Sequence, residues 1–431
     1  MSKRFLFTSV VITATAIILA GCGGGADEAS AEVPAYDPDK QYTISMGVYG
    51  DLEAAYTAVI ATEDFQNTFP NVTIEFQTSD FNGHHNRLTT VLAAGEATND
   101  IEALEVGFIA QFVEGGGLTD LAGEPFNGPT VGTELVPFAM ANATTTDGAL
   151  VAMPVDIAPA VMFYRDSLVR EAGVDPADIE NAESWDDIIA IGEQLRDAGQ
   201  IAFPHANDVA MAPLNGGKGG WFSDDGDPLQ PRSRFIAALE FVKAIRDAGI
   251  DADYGAWSGP WVESFANGDV AMMVNGAWFG GALRTWMAPE VEDWRITYLP
   301  GEFPAALGGT YLGIPEQVPA EQKAVAWEVI RYMTTSENAQ LTVFATIDAY
   351  PALTTTYDDP IMSEGLAYFG GEPVREIFAD VAESMPTAQV TEFDATALAI
   401  WGNSVTAVIT GEMGVEEAYE EARNQIIATI Q

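Results

Sequence analysis

Residues 147–195, which read DGALVAMPVDIAPAVMFYRDSLVREAGVDPADIENAESWDDIIAIGEQL, constrain the fold more than any other stretch of this chain. Asp147-Gly148 is a turn signal, and residues 150–155 and 160–164 are short apolar runs punctuated by Pro154 and Pro159. Two strands meeting at a constrained bend are expected. Beyond them Asp166 caps a short helix that Gly173 ends, Asp175-Pro176 opens the next, and Ser184 precedes a periodic run of Trp185, Ile188, Ile191 and Leu195. Asp156 stands alone in the apolar bend. An unpaired carboxylate is costly to bury, so this one should face a polar groove or meet a partner there. The stretch therefore predicts a crossing between two lobes with a ligand-facing acid at the crossing.

A length of 431 residues exceeds one usual core and fits two or more lobes. From residue 41 onward strand and helix patterns alternate: strands at 42–48, 72–76 and 101–106, with helix faces at Leu52, Ala55, Tyr56 and Val59 and at Leu88, Val91 and Leu92. That alternation predicts an α/β lobe with a mostly parallel sheet. Ligands on such sheets sit past the carboxyl ends of strands, which makes Tyr49, Asp51, Asp80, Gly107 and Phe108 candidates.

Charge excludes one class of function. With 64 acidic against 18 basic residues the formal charge is −46, which repels nucleic-acid phosphates and anionic membrane surfaces. The N-terminus points to the exterior of a cell: Lys3 and Arg4 precede an apolar stretch over 5–20, too short to span a bilayer and fitting a signal peptide at 1–21. Leu19-Ala20-Gly21-Cys22 resembles a bacterial lipobox, which implies diacylation of Cys22, the single cysteine, and anchoring to the membrane. Residues 22–40 read as a flexible tether.

No metal or cofactor is expected. His84 and His85 are adjacent, only His205 remains elsewhere, and a zinc site collects three or four protein ligands; a solvated loop or a ligand hydrogen bond suits the pair better. Residues 204–220 are rich in Gly and Pro but lack the Gly-Lys-Ser/Thr of a phosphate loop. Trp221 follows that loop.

A second signature occupies 257–287, WSGPWVESFANGDVAMMVNGAWFGGALRTWM. Its pattern predicts a helix ending at Asn267-Gly268, a buried strand over 270–274, a turn at Asn275-Gly276 and a helix over 278–286. The order Phe-x-x-Gly-x-x-Ala-Met-x-x-x-Gly-x-Trp, together with Pro-x-Asp, Tyr-Arg-Asp-x-Leu and Ser-Trp-Asp-Asp-Ile in the first stretch, resembles the extracellular solute-binding proteins of ABC importers, specifically the carbohydrate-binding family related to maltose-binding protein. That resemblance implies a two-lobed α/β fold of type II, with lobes at 41–154 plus 307–360 and 155–306 plus 361–431, several chain crossings and a permease partner. It implies that Asp156 bonds sugar hydroxyls at the hinge, that Trp278 packs on a sugar ring, and that Thr310 and Tyr311 lie beside the hinge. At the third loop many relatives carry Trp or Asp where this chain has Glu105-Val106-Gly107-Phe108, leaving Phe108 as a stacking face.

Aromatic faces suit sugars because a flat ring buries the C–H face of a pyranose without competing for its hydroxyls. Trp257 and Trp278 are flanked by loops and are the preferred candidates, with Asn275 and Trp221 beside them. Trp286 and Trp327 fall on helix faces as structural residues, and Trp401, ahead of a helix, could reach the cleft. Two alternatives stay open: the same fold binding a polyamine or ferric ion, or a glycoside-active enzyme, although no Ser/His/Asp elbow or zinc helix motif occurs.

Overall fold

The computed structural model describes residues 32–430 apart from 114–115, 213, 215–219, 224–225, 388–390 and 392. The signal segment, Cys22 and the first part of the tether lie outside the described residues. Among the described residues there are eight strands: β1 (Tyr42–Tyr49), β2 (Val72–Ser79), β3 (Ile101–Glu105), β4 (Met153–Arg165), β5 (Met272–Gly276), β6 (Trp294–Thr297), β7 (Ala306–Gly313) and β8 (Tyr350–Pro351). Their main path runs β2-β1-β3-β7-β4-β5.

The expected mostly parallel sheet is instead mixed. β1 is parallel to β2 and β3, whose connections pass through the helices Leu52–Ile60 and Phe81–Ala93 and so bring the chain back in the same direction. β7 arrives from the other half of the molecule and lies antiparallel to β3 and β4. β4 is antiparallel to β5, β6, β7 and β8.

β4 corrects the expectation of two strands meeting at a bend. It is one strand of 13 residues, buried throughout. Its first half pairs with β7 and its second half with β5 and β6, so the strand itself carries the crossing. Both prolines sit inside it, next to register shifts between Pro154 and Asp156 and between Ile157 and Pro159. Proline lacks a ladder donor, and an irregularity beside each one lets the strand continue without leaving a buried backbone group unpaired.

The side chains of the second half alternate between two hydrophobic cores. Val161 and Phe163 point into the first, with Met273, Phe279 and Ile296; Ala160, Met162 and Tyr164 point into the second, with Met272, Val274 and the C-terminal helices Asp394–Ile409 and Val415–Ile430. Ser184 caps the helix Trp185–Asp197 in a reciprocal box with Asp187, as its sequence signals. Trp327 is buried as expected, but Trp286 lies on a π-helical turn, Leu283–Met287, and is 49% exposed. Trp401 sits inside the helix Asp394–Ile409 rather than ahead of it, and it is fully buried. No helix among the described residues is long and apolar enough to cross a membrane.

Candidate functional site

The register of three strands brings the chemistry together. Glu105 at the end of β3 is paired with Thr310 of β7, and Thr310 is paired with Asp156 of β4. Directly paired residues share a face, so two carboxyls flank one hydroxyl in a single row. Asp156 Oδ1 accepts the Thr310 N–H at 3.1 Å, while its buried Oδ2 has no partner. The Tyr49 hydroxyl lies 3.1 Å from Thr310 Oγ1. Glu105 Oε2 accepts the Gly107 N–H at 2.7 Å.

Two residues along each strand the same face becomes a floor. Ala158 of β4 and Gly308 of β7 repeat the positions of Asp156 and Thr310, about 7 Å away by strand geometry. A Cβ on Gly276 would lie 2.7 Å from both Ala158 Cβ and the Leu307 carbonyl oxygen. One on Gly308 would lie 3.2 Å from Ala158 Cβ and from Trp278 Nε1. The glycines keep this floor flat, and the Trp278 indole rests on it, donating to the Leu307 carbonyl at 2.9 Å.

Trp257 stacks on Trp278 with centroids 5.8 Å apart and planes 18° apart, and it remains 56% exposed. Its backbone is left-handed at φ 63°, an uncommon state for a bulky residue that recurs at ligand sites. Trp261 packs 5.0 Å from Trp257 and donates its Nε1–H to Asp208 at 2.8 Å.

Of the residues expected at the site, Tyr49, Asp156 and Thr310 converge directly. Tyr311 is buried beside them and accepts from Asn142 Nδ2 at 3.4 Å. Trp257 and Trp278 form the neighbouring platform. Asn275 is buried in β5, its Oδ1 accepting the Gly276 N–H at 2.8 Å, next to that floor. Phe108 lies on the helix Val106–Val113, not in a loop, stacked 4.1 Å from His85. Asp80 caps the helix Phe81–Ala93 by accepting from the Gly83 N–H, and Asp51 is exposed at the start of Leu52–Ile60. Trp221 sits apart, against Phe235 and Trp401 on the second core.

His84 and His85 correct the expectation of a solvated loop: both lie on the helix Phe81–Ala93 and are fully buried. His85 Nδ1 donates to the Phe81 carbonyl at 2.8 Å and Nε2 accepts the Glu105 N–H at 3.0 Å, which fixes one neutral tautomer. Among the described residues no group of three metal-ligating side chains occurs. Glu105 and Asn142 were not among the sequence candidates. Glu105 is the last residue of its strand, and the rule that ligands sit past strand ends points one step beyond it.

Burial pushes the Asp156 carboxyl up to about 7 against the pull of its Thr310 bonds, and desolvation takes Glu105 to about 7 with Asp156 adding to it. Burial also raises Asp208 to about 7 and Asp394 to about 6, and it lowers His84 and takes His85 down to about 4. Each of these carboxyls has a folded pKa above its unfolded value near 4, so the folded state keeps protons between about pH 4 and 7 that the unfolded chain releases. Their contribution grows as pH falls through that window and is lost as pH rises through 7. The two histidines act in the opposite sense below about pH 6.5. The four carboxyls outweigh them, so the empty protein should melt at a higher temperature near pH 5.5 than near pH 8 by scanning calorimetry. Equal melting points would show that these acids are solvated.

The architecture is thus a strand shared by two hydrophobic cores, with a polar row and an aromatic platform beside it. Residues 61–369 match the family of bacterial extracellular solute-binding proteins, and the chain belongs to that family. The arabinooligosaccharide-binding protein of Halalkalibacterium halodurans is 24% identical over 392 residues, covering 86% of each chain. The lactose-binding protein of Rhizobium radiobacter is 24% identical over 252 residues, 56% of this chain and 59% of that one. In fold, an extracellular solute-binding protein of family 1 superposes with a TM-score of 0.78 at 21% identity, over 90% of this chain and 100% of the other. The ABC transporter associated binding protein of B. animalis subsp. lactis, solved with β-1,6-galactobiose, gives 0.73 at 20% identity, over 90% and 98%.

Proposed function

We propose that this protein captures a sugar or oligosaccharide between its two lobes and delivers it to the permease of an ABC importer, without chemical turnover. The observation that carries the reading is the Trp257–Trp278 stack seated beside the Glu105–Thr310–Asp156 row. A ring face beside the unsatisfied Asp156 Oδ2 is what a polyhydroxylated ring requires. Relatives named for arabinooligosaccharides and lactose support the same class of solute. In this reading the lobes are 41–154 plus 307–360 and 155–306 plus 361–431, hinged at β4 and β7, with Cys22 as the lipid attachment that holds the protein at the membrane surface. Solute closes the hinge through its higher affinity for the closed form. Asp156, Tyr49, Thr310, Tyr311 and Asn275 bond hydroxyls, and Trp257 and Trp278 take ring faces.

The test is thermal unfolding of the soluble chain starting after Cys22, against arabinotriose, lactose and β-1,6-galactobiose with spermidine as a contrast. A ligand that binds the folded state alone raises the melting point by mass action. The expected result is a rise of several degrees with one neutral saccharide and intact saccharide recovered afterwards. A rise with spermidine alone would overturn the sugar reading, and cleavage products would overturn the absence of turnover.

A further inference from the structure

The row of Glu105, Thr310 and Asp156 carries two acids and no base. Among the described residues neither carboxyl takes part in an ion pair, although Lys and Arg are paired with acids at many other places on this chain. Asp156 is 7% exposed, and its Oδ2 is a buried acceptor with no donor. The hydrogen-bonding groups near the row are neutral: Tyr49 on Thr310, and Tyr56 and Tyr311, both close enough to feel the Asp156 charge, the Tyr56 hydroxyl being buried without a partner. His85 cannot supply a positive charge, because its two ring nitrogens are committed to the Phe81 carbonyl and the Glu105 N–H. His84 donates Nε2–H to the Ala103 carbonyl at 2.7 Å, and burial holds it neutral as well. The helix Asp394–Ile409 packs on Val106–Val113, and none of its residues is a Lys or Arg.

We infer that this row selects solutes by charge: it accepts a sugar unit that presents hydroxyl or ammonium donors, and it excludes units bearing a carboxylate, sulfate or phosphate. The inference rests on the sugar reading and narrows it to neutral and amino sugars. The physical reason is an asymmetry. A hydroxyl or ammonium gives Asp156 Oδ2 the donor it lacks, whereas an anionic group would meet two acids that no basic side chain pairs with among the described residues; the one guanidinium on the neighbouring helix, Arg87, lies beside His84 with Nε and Nη2 buried and unpartnered and bonds neither acid. Burial that strengthens attraction for a donor strengthens repulsion of an anion equally.

The protonation of the row sets how the selection varies with pH. Glu105 and Asp156 titrate as a coupled pair near neutrality, whereas Tyr49, Tyr56 and Tyr311 are pushed above their ordinary value and stay neutral. A uronate remains anionic well below pH 5. Its exclusion is therefore weakest near pH 5.5, where the pair is mostly protonated, and strongest near pH 8.5, where both acids are charged.

The experiment is isothermal titration of the mature chain with whichever neutral saccharide of the panel binds most tightly, then with the same saccharide oxidised at one ring hydroxymethyl to the uronate. At pH 7.5 the uronate is expected to bind at least about 100-fold more weakly, and the gap is expected to widen at least about tenfold between pH 5.5 and 8.5. The double variant Asp156→Asn, Glu105→Gln keeps the shapes and removes the charges, and it is expected to shrink the gap below about tenfold. The pH series on the unaltered protein decides the matter if the double variant does not fold. Equal affinity for neutral and oxidised sugar, or a gap that does not move with pH, overturns the charge selection and leaves the sugar reading standing. Binding of no neutral saccharide overturns both.

Discussion

Trp257→Ala is expected to weaken sugar affinity at least about 30-fold while moving the melting point of the empty protein by less than about 2 °C. The two effects separate because the side chain is 56% exposed and makes its main contact face to face with Trp278. Surface truncations of that kind usually cost under about 0.5 kcal/mol of stability. Loss of a rigid aromatic face at a binding site costs about 2 kcal/mol or more of affinity. Alanine is no worse suited than tryptophan to the left-handed backbone at 257, so the substitution adds no strain. Trp278→Ala should weaken binding too, but less informatively. It also removes the bond to the Leu307 carbonyl and the cover over Gly308 and Ala158, so stability falls with it. Unchanged affinity in Trp257→Ala, measured by titration calorimetry, would remove the platform from the site.

Gly47→Ala is expected to destabilise the fold by about 4 kcal/mol or more, seen as a lower urea midpoint. Gly47 of β1 is paired with Glu102 of β3, and a Cβ there would lie 2.0 Å from Glu102 Oε2 and 2.6 Å from Asn99 Nδ2. Glu102 is fully buried and cannot step aside: its other oxygen accepts from Thr98 at 2.6 Å and from Asn99 at 2.8 Å, and His84 lies 4.0 Å away. Moving that carboxylate would break bonds that no water can replace. Gly123→Ala, with nothing within 4 Å of the added Cβ, is the control and should shift stability by under about 0.5 kcal/mol. Similar midpoints for the two variants would mean that Glu102 is not seated against β1.

The same cluster shows where sequence reading stops. The alternation of strand and helix over 42–106 is written in local periodicity, and the observed β1, β2 and β3 follow it within a few residues. The caps at Asp175 and Ser184 are legible for the same reason, since each involves neighbours two or three residues away. Burial of His84 and His85 is not legible, because it depends on Ala103 and Glu105, about twenty residues away in a strand beneath the helix. The continuity of β4 across two prolines is likewise tertiary: β7, β5 and β6 hold it from both sides, overriding the local signal of a break. Asp156 stands out in sequence as one acid in an apolar run, whereas Glu105 joins it only through the register of β7 between them.

A crystal structure of the mature chain with its tightest neutral saccharide bears most directly on how this site works. One ring is expected to lie face-on against Trp257 or Trp278, with a hydroxyl within hydrogen-bond distance of Asp156 Oδ2, now supplied with the donor it lacks. A saccharide seated elsewhere, such as against Trp221 on the second core, with Asp156 Oδ2 still unpartnered, would contradict the assignment of the site.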